Sequence, residues 1–211
     1  MRRRDAVEIF ARLRTDQLVV GSVGKGSAHL FSVHHDDATL YNLQMPYTTA
    51  LGLGLAMALP NQGVVVLDGD GSLLSGIGVL TTVARASPPN LTIVVWDNEA
   101  YASIGGLPTA TAGATDLEVM ARGAGLQNTA TVRDLKTFEE TVRNALGAHA
   151  PWFVVAKVEA ERIEGESEVT DMLRPYPFDL TENAMLFRHA LRKRGLVSGW
   201  HGAASWPVSF D

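Results

Sequence analysis

The sequence predicts an α/β protein with a doubly wound, mostly parallel sheet of about six strands and helices on both faces. Two observations carry this prediction. Short apolar segments rich in β-branched residues alternate with longer segments of helical periodicity, which is typical of successive strand–helix units. Most of the short segments are also apolar over nearly their whole length, as expected for parallel strands that are buried on both faces.

Five segments are the strand candidates, taken in chain order. They are residues 18–20, 64–67, 91–96, 128–132 and 153–156, of which 128–132 is the weakest. The other four are runs of aliphatic, largely β-branched residues, which favour the pleated surface of a buried strand.

Segments of helical periodicity lie between and around these strands. Helices are predicted at residues 5–14, 47–59, 72–85, 117–122, 135–146 and 182–194. Segment 47–59 ends before Pro60, and segment 72–85 ends before Pro88 and Pro89, because a residue preceding proline disfavours the helical conformation. Residues 102–115, rich in Gly, Ala, Thr and Pro, are predicted to form a long loop.

Length indicates one domain with an extension, since 211 residues exceed the usual size of a single domain only slightly. We expect residues 1–160 to form the domain and residues 161–211 an arm that packs on it or on a partner subunit. Trp200 and Trp206 near the chain end need a surface to pack against, and another chain is one candidate.

Composition excludes several classes of function. A net charge of −5 argues against a nucleic-acid or anionic-membrane surface, and the lack of cysteine excludes disulfides, thiolate metal sites and cysteine nucleophiles. No apolar run approaches the roughly 20 residues that span a bilayer. The basic residues 2–4 are followed by Asp5 and Glu8, which is not a signal peptide pattern. We therefore expect a cytoplasmic protein.

The most informative motif is Gly69, Asp70, Gly71 and Ser72, directly after the strand 64–67. The carboxyl end of a strand in an open parallel sheet is where ligands bind, and a helix beginning near Ser72 offers free N–H groups to a phosphate. A phosphate would repel Asp70 unless a cation lay between them, and Mg²⁺ is the natural candidate. The alternative is a β-turn with a capping serine.

A second interpretation of the same segment is the aspartyl-phosphate phosphatase motif. Residues 68–72 match its Asp-x-Asp-Gly-Ser pattern, with Asp68 as nucleophile and Asp70 as acid/base. That motif should open the chain, and a later strand should end in paired aspartates. Neither condition is met convincingly in this sequence.

The next strand separates the two interpretations. Segment 91–96 is followed by Asp97 and Asn98, and Asn98 lies 28 positions after Asp70. One helix and one strand return the chain to the same edge of the sheet, so Asp70 and Asn98 can face one cation with a carboxylate and an amide oxygen.

Gly69 to Ser72 followed by Asn98 resembles the signature of thiamine-diphosphate-dependent enzymes. The resemblance implies a thiamine-diphosphate-binding fold in which Asp70, Asn98 and the carbonyl of Ala100 hold Mg²⁺ on the diphosphate. It further implies cofactor contacts by the residues that surround these ligands. They are Ser22, Gly24, Gln44, Gly69, Gly71, Ser72 and Tyr101. Segments 87–95 and 105–109 resemble the sulfopyruvate and phosphonopyruvate decarboxylase branch of the family.

Residues 43–46 fit the family pattern less closely. Met45 occupies the position of the bulky residue that holds the cofactor in its bent shape, and Leu43 would offer its carbonyl to the aminopyrimidine, so both are assigned catalytic roles. Pro46 replaces the family's glycine. The alternative for Met45 is an ordinary core methionine.

The resemblance implies the diphosphate-binding subunit of a two-chain 2-oxo acid decarboxylase. About 20 residues before the first strand and about 50 after the last are too few for the family's pyrimidine-binding domain of ~150 residues. We therefore expect a partner subunit that carries the catalytic glutamate, in an α2β2 assembly. A carboligase, the phosphatase that uses Asp68 and Asp70, and a non-catalytic scaffold that binds the cofactor remain alternatives.

Two further features lie outside the motif. His34 and His35, with Asp36 and Asp37, are interpreted as a solvated polar loop in preference to a metal or active site. Lys25, on the loop after the first strand, is a candidate anion-binding residue.

Overall fold

The computed structural model describes residues 1–160 and 176–198. The strands are β1 (Leu18–Ser22), β2 (Thr39–Leu43), β3 (Val64–Gly69), β4 (Leu91–Asp97), β5 (Ala100–Tyr101), β6 (Leu107–Pro108), β7 (Asn128–Val132) and β8 (Trp152–Lys157). The helices are α1 (Arg3–Leu13), α2 (Lys25–Val33), α3 (Tyr47–Ala58), α4 (Asp70–Ser75), α5 (Val79–Ala86), α6 (Leu117–Gly123), α7 (Leu135–Leu146) and α8 (Leu180–Lys193).

The central sheet has six strands in the order β2-β1-β3-β4-β8-β7, and every pairing is parallel, which confirms the predicted fold class. Two hydrophobic clusters cover its faces, one under α3, α5, α6 and α8 and the other under α1, α2 and α7. The strand order reverses between β1 and β3. That reversal point, at the carboxyl ends of the strands, is where an open α/β sheet forms its ligand-binding crevice.

Four elements were not predicted: the two-residue strands β5 and β6, the second of which lies in the predicted loop, the edge strand β2, and the helix α2 before it. β2 contains Thr39 and Asn42, so it lacks the continuous apolar run that indicates a buried parallel strand. Gly26 lowers the helical propensity of α2, but a Cβ there would lie 2.8 Å from Cδ1 of Trp96. Gly26 weakens the helical pattern of this segment, yet the close packing of Trp96 requires a glycine there.

The single helix predicted at 72–85 is wrong, because the chain forms α4 and α5 with a break at residues 76–78. A Cβ at Gly76 would lie 2.6 Å from Cβ of Pro46, so packing against the start of α3 sets the position of this break. The helix also begins at Asp70, with Gly69 as its N-cap residue. Ser72 therefore lies inside the first turn and not at the cap.

The described part of the predicted arm packs on the domain through α8. Buried Asn183 accepts a hydrogen bond from the backbone N–H of Tyr41 at 2.7 Å and donates one to the carbonyl of Thr39 at 3.1 Å. It thereby satisfies two backbone groups on the outer side of the edge strand β2. Residues 161–175, Trp200 and Trp206 lie outside the described residues, and the boundary at residue 160 stays a prediction. Among the described helices, none has the length and apolarity needed to cross a membrane.

Candidate functional site

A cleft with about 550 Å³ of empty space opens at the carboxyl ends of β1, β3 and β4. It brings together most residues that the sequence pointed to. Those lining it are Ser22, Gly24, Met45, Gly69, Asp70, Gly71, Ser72, Asn98, Ala100 and Tyr101. Its described wall also includes Arg3, Lys25, Gly26 and Trp96 but neither Leu43 nor Gln44. The strand-end motifs are therefore parts of one site.

Asp70 lies at the start of α4 and is almost completely buried. Burial raises the pKa of its carboxyl group, and the nearby Asp97 adds to this shift. Hydrogen bonds from Thr109 and Thr111 partly offset both effects. A cation beside Asp70 would compensate this buried charge, which is the environment expected of a metal ligand.

Polar groups of three residues, the Asp70 carboxylate, the Asn98 amide and the Ala100 carbonyl, meet in the cleft. One atom of the Asn98 side-chain amide lies 3.0 Å from the carbonyl oxygen of Ala100 and 3.2 Å from Oδ1 of Asp70. Without a cation the amide nitrogen is favoured at this position, since it donates to both oxygens. With its oxygen there instead, that oxygen would lie 3.0 Å and 3.2 Å from the other two, close to the spacing of about 2.9 Å between adjacent ligands of octahedral Mg²⁺. The donor set fits Mg²⁺.

The turn that presents Asn98 and Ala100 depends on the residue between them. Glu99 has a φ of 61°, in the left-handed region, which is uncommon for a residue other than glycine. Its N–H donates to Oδ1 of Asp97 at 3.2 Å, and its carbonyl accepts from the backbone N–H of Thr109 at 3.1 Å. These bonds direct the Asn98 side chain and the Ala100 carbonyl to the same point.

The walls of the cleft leave little space for side chains and offer an unused donor. A Cβ at Gly71 would collide with the ring of Tyr101, so the backbone there approaches the aromatic residue closely. The indole nitrogen Nε1 of Trp96 is buried and has no hydrogen-bond partner among the described residues. Because a buried donor without a partner costs free energy, a polar ligand in the cleft is expected to meet it.

Met45 is 37% exposed and lies at the wall of the cleft, so it is not an ordinary core methionine. The Leu43 carbonyl accepts a hydrogen bond from Val23 N–H at 2.9 Å, and the Gln44 carbonyl accepts one from Tyr47 N–H at 3.0 Å. A carbonyl oxygen can accept a second bond, so the role of Leu43 stays a prediction.

The position of Asp68 argues against the phosphatase interpretation. Asp68 has no exposed surface, and it does not belong to the described wall of the cleft. Its oxygens accept hydrogen bonds from Oγ1 of Thr49 at 2.7 Å and from the N–H of Gly69 at 2.9 Å. Burial raises the pKa of this carboxyl, and a substrate phosphate has no path to it. Asp68 therefore holds β3 against α3 and is not a nucleophile.

The histidine pair forms part of a structural loop. His35 contacts the hydroxyl of Tyr41 through Nδ1 at 3.1 Å and Asp37 through Nε2 at 3.2 Å. Within residues 1–160 and 176–198, no group of three or more His, Asp or Glu side chains is arranged to hold a metal ion. Lys25, by contrast, does line the cleft.

Three residues that sequence patterns missed support the site from behind. Thr109 and Thr111 both contact Asp70, while Nζ of Lys157 lies 2.8 Å from Oδ2 of Asp97 and 2.8 Å from Oε1 of Glu99. Segment 105–109, which contains Thr109, was singled out only because it resembles a branch of the family, and no role was predicted for its threonine. Nothing local to these residues marks their role, because each contact joins distant parts of the chain.

Comparison with known proteins indicates a family. The C-terminal TPP binding domain of thiamine pyrophosphate enzymes matches residues 20–156. The beta subunit of sulfopyruvate decarboxylase from Methanocaldococcus jannaschii is 37% identical over 151 residues, covering 71% of this chain and 79% of that protein. Phosphonopyruvate decarboxylase from Streptomyces viridochromogenes is 32% identical over 158 residues, but the match covers 74% of this chain and only 39% of that protein.

Solved structures show the same fold at lower sequence identity. The thiamine diphosphate-dependent 4-hydroxybenzoylformate decarboxylase of Rhodococcus jostii superposes with a TM-score of 0.66 at 18% identity. The superposition covers 77% of this chain and 33% of that enzyme. The fold thus corresponds to about one third of the larger protein.

Proposed function

Because the chain belongs to the thiamine pyrophosphate enzymes, we propose that it is the diphosphate-binding subunit of a two-chain decarboxylase for small 2-oxo acids. The substrates would be of the sulfopyruvate or phosphonopyruvate type, which the names of its relatives support. The observation that carries the proposal is the convergence of Asp70, Asn98 and the Ala100 carbonyl at the cleft.

The residues of the cleft fit Mg²⁺ and a diphosphate. Asp70, Asn98 and the carbonyl of Ala100 would hold the cation, which would join the diphosphate to a site that otherwise repels it. In this role Mg²⁺ would act as a template and would neutralise charge. When bound, thiamine diphosphate supplies the nucleophile that attacks a keto carbon and the electron sink for departing CO₂.

This chain contributes binding and orientation. Met45 at the cleft wall would hold the cofactor in a bent conformation, and buried Trp96 offers its indole N–H. The closely packed backbone at Gly71 would let the diphosphate approach the start of α4. The proton transfers on the aminopyrimidine are assigned to a glutamate of the partner subunit.

Two features support a partner subunit. The match spans 79% of a relative named as a beta subunit but only 37% of a longer relative from Methanosarcina acetivorans, which is named sulfopyruvate decarboxylase without a subunit. Next to the cleft, α3 contains no charged residue, and it exposes Tyr47 and Met57 to solvent. An exposed apolar helix face is typical of a surface that another chain covers. We assign this face to the pyrimidine-binding partner, in an α2β2 assembly.

The isolated chain is expected to show decarboxylase activity at least 100-fold below that of the complex, because general acid–base catalysis contributes about 10²–10⁴-fold. The purified chain is assayed with thiamine diphosphate, Mg²⁺ and either sulfopyruvate or phosphonopyruvate, alone and with a co-expressed partner that carries the glutamate. Release of CO₂ and aldehyde by the complex supports the proposal.

Three outcomes would contradict parts of it. Full activity of the lone chain would refute the split site, and an acyloin product in place of an aldehyde would favour the carboligase. Cofactor binding without turnover alongside the partner would indicate a scaffold.

Met45→Ala is expected to lower turnover far more than cofactor affinity, because a bent cofactor places its reacting atoms in productive geometry. A loss of about tenfold or more in kcat, with less than threefold change in the cofactor Kd, is the expected pattern. The matched control is Met120→Ala, since Met120 on α6 is equally exposed at 37% and lies outside the described wall of the cleft. A collapse of affinity with unchanged turnover per bound cofactor would reduce Met45 to a packing residue.

A further inference from the structure

A buried hydroxyl pair lies directly behind Asp70. Thr109 and Thr111 are 5% and 4% exposed, and neither belongs to the described wall of the cleft. Oγ1 of Thr109 donates to Oδ2 of Asp70 at 2.6 Å, and Oγ1 of Thr111 lies 3.0 Å from the same oxygen. The two hydroxyls are 2.8 Å apart. Both threonines thus converge on one oxygen of one carboxylate.

The two carboxylate oxygens of Asp70 have different partners. Oδ2 faces the threonines, whereas Oδ1 lies 3.2 Å from the Asn98 amide, at the point where the cleft oxygens converge. The terminal torsion of an aspartate is broad, so a carboxylate without such partners can rotate. The short hydrogen bond from Thr109 and the close contact with the Thr111 hydroxyl restrict this rotation at Oδ2, so that Oδ1 is directed into the cleft.

The same hydroxyl pair connects Asp70 to the turn that carries the other cation ligands. Oγ1 of Thr111 lies 2.8 Å from Oδ1 of Asp97, whose second oxygen is paired with Lys157. The backbone N–H of Thr109 bonds to the carbonyl of Glu99. One short segment therefore contacts both strand ends, β3 through Asp70 and β4 through Asp97.

We propose that Thr109 and Thr111 are positioning residues for the divalent cation. They act through Asp70, which they hold in the orientation that presents Oδ1 toward Asn98 and Ala100. The inference deepens the proposed function and rests on it. Hydrogen-bond partners that orient a metal ligand typically change metal affinity by 10- to 100-fold when they are removed.

The test replaces each hydroxyl by a methyl group and measures cation binding. Mn²⁺ is titrated into the full chain with thiamine diphosphate, with and without the partner subunit, and bound Mn²⁺ is followed by electron paramagnetic resonance. Thr109→Val and Thr111→Val are each expected to weaken Mn²⁺ binding by about 10-fold or more. Thr109→Ser and Thr111→Ser keep the hydroxyl and are expected to stay within about threefold of the wild type.

Thr92→Val is the matched control, since Thr92 is equally buried but lies at the opposite end of β4 from the cleft. It is expected to bind Mn²⁺ as the wild type does. If a valine variant does not fold, the smaller Thr109→Ala and Thr111→Ala take its place.

Three results would overturn the inference. Valine variants that bind Mn²⁺ as tightly as the wild type, or more tightly, show that the hydroxyls do not position Asp70. Serine variants as weak as the valine variants show that packing, and not the hydroxyl, matters. A wild-type complex that binds no Mn²⁺ in the presence of thiamine diphosphate refutes the proposed function and this inference with it, and that outcome is distinct from the other two.

Discussion

Asp70→Ala is expected to weaken Mg²⁺-dependent binding of thiamine diphosphate by one to two decades. The substitution removes the carboxylate that faces Asn98 and the Ala100 carbonyl, leaving the cation with two neutral oxygen ligands from this chain. Loss of an interaction with a charged group costs about 1.5–3 kcal/mol, which corresponds to this change in affinity. Calorimetric titration of the cofactor into the assembled complex, with Mg²⁺ and with EDTA, measures the effect.

The control for this prediction is Asp134→Ala. Asp134 is an exposed carboxylate that caps α7 by accepting from the N–H of Thr137 at 2.9 Å, far along the chain from the cleft residues. Its loss is expected to cost about 1 kcal/mol of stability and to leave cofactor affinity unchanged. Equal Mg²⁺ dependence in the wild type and in Asp70→Ala would exclude Asp70 as a metal ligand.

Lys157→Met is expected to lower the free energy of unfolding by about 3 kcal/mol, because it leaves the buried Asp97 without its cation. Asp97 is 1% exposed, and the Lys157 side chain is itself mostly buried. Urea unfolding monitored by circular dichroism gives the difference. The control is Arg143→Met, whose ion pair with Glu139 is exposed and is worth about 1 kcal/mol or less. If both variants lose a similar small amount of unfolding free energy, the ion pair between Lys157 and Asp97 does not stabilise the fold.

The pH dependence of this effect has a defined sign. Burial alone would lower the pKa of Lys157, but its hydrogen bonds to Asp97 and Glu99 outweigh burial and raise the pKa. A raised pKa means that the stabilisation is fully present below the pKa of about 10.4 in the unfolded chain. It is lost as the pH rises through the higher value in the folded protein. The difference between the wild type and Lys157→Met should therefore persist at neutral pH and shrink at strongly alkaline pH.

The two carboxylates of the strand-end motif show what sequence patterns can predict about a site and what they cannot. Asp68 and Asp70 both match a phosphatase pattern, and Asp70 also fits a cation site. Only the packed structure separates them, because Thr49 and Gly69 hold Asp68 inside the protein, while Asp70 borders the cleft. Strand alternation does not place the two relative to each other, because Asp68 lies in β3 whereas Asp70 begins α4.

The helices and strands also differ in how far the sequence predicts them. The apolar segments that became β3, β4 and β8 were predictable because a buried parallel strand must be apolar over its own length. The break between α4 and α5 was not, since it depends on the contact between Gly76 and Pro46, 30 positions apart. Tertiary contacts of this kind override the local helical propensity of the sequence.

The sequence by itself determined the class of the fold and the pair Asp70 and Asn98, because both follow from local signals: apolar strands, and polar residues at the points where those strands end. Tertiary structure alone decided which groups hold that pair in place. Thr109, Thr111 and Lys157 lie 39, 41 and 87 positions after Asp70. The two threonines meet Asp70 only when β3 and β4 pair, and Lys157 meets Asp97 only when β4 and β8 pair. Hydrogen bonds between residues so distant leave no periodic or local pattern, so their geometry exists only in the folded chain.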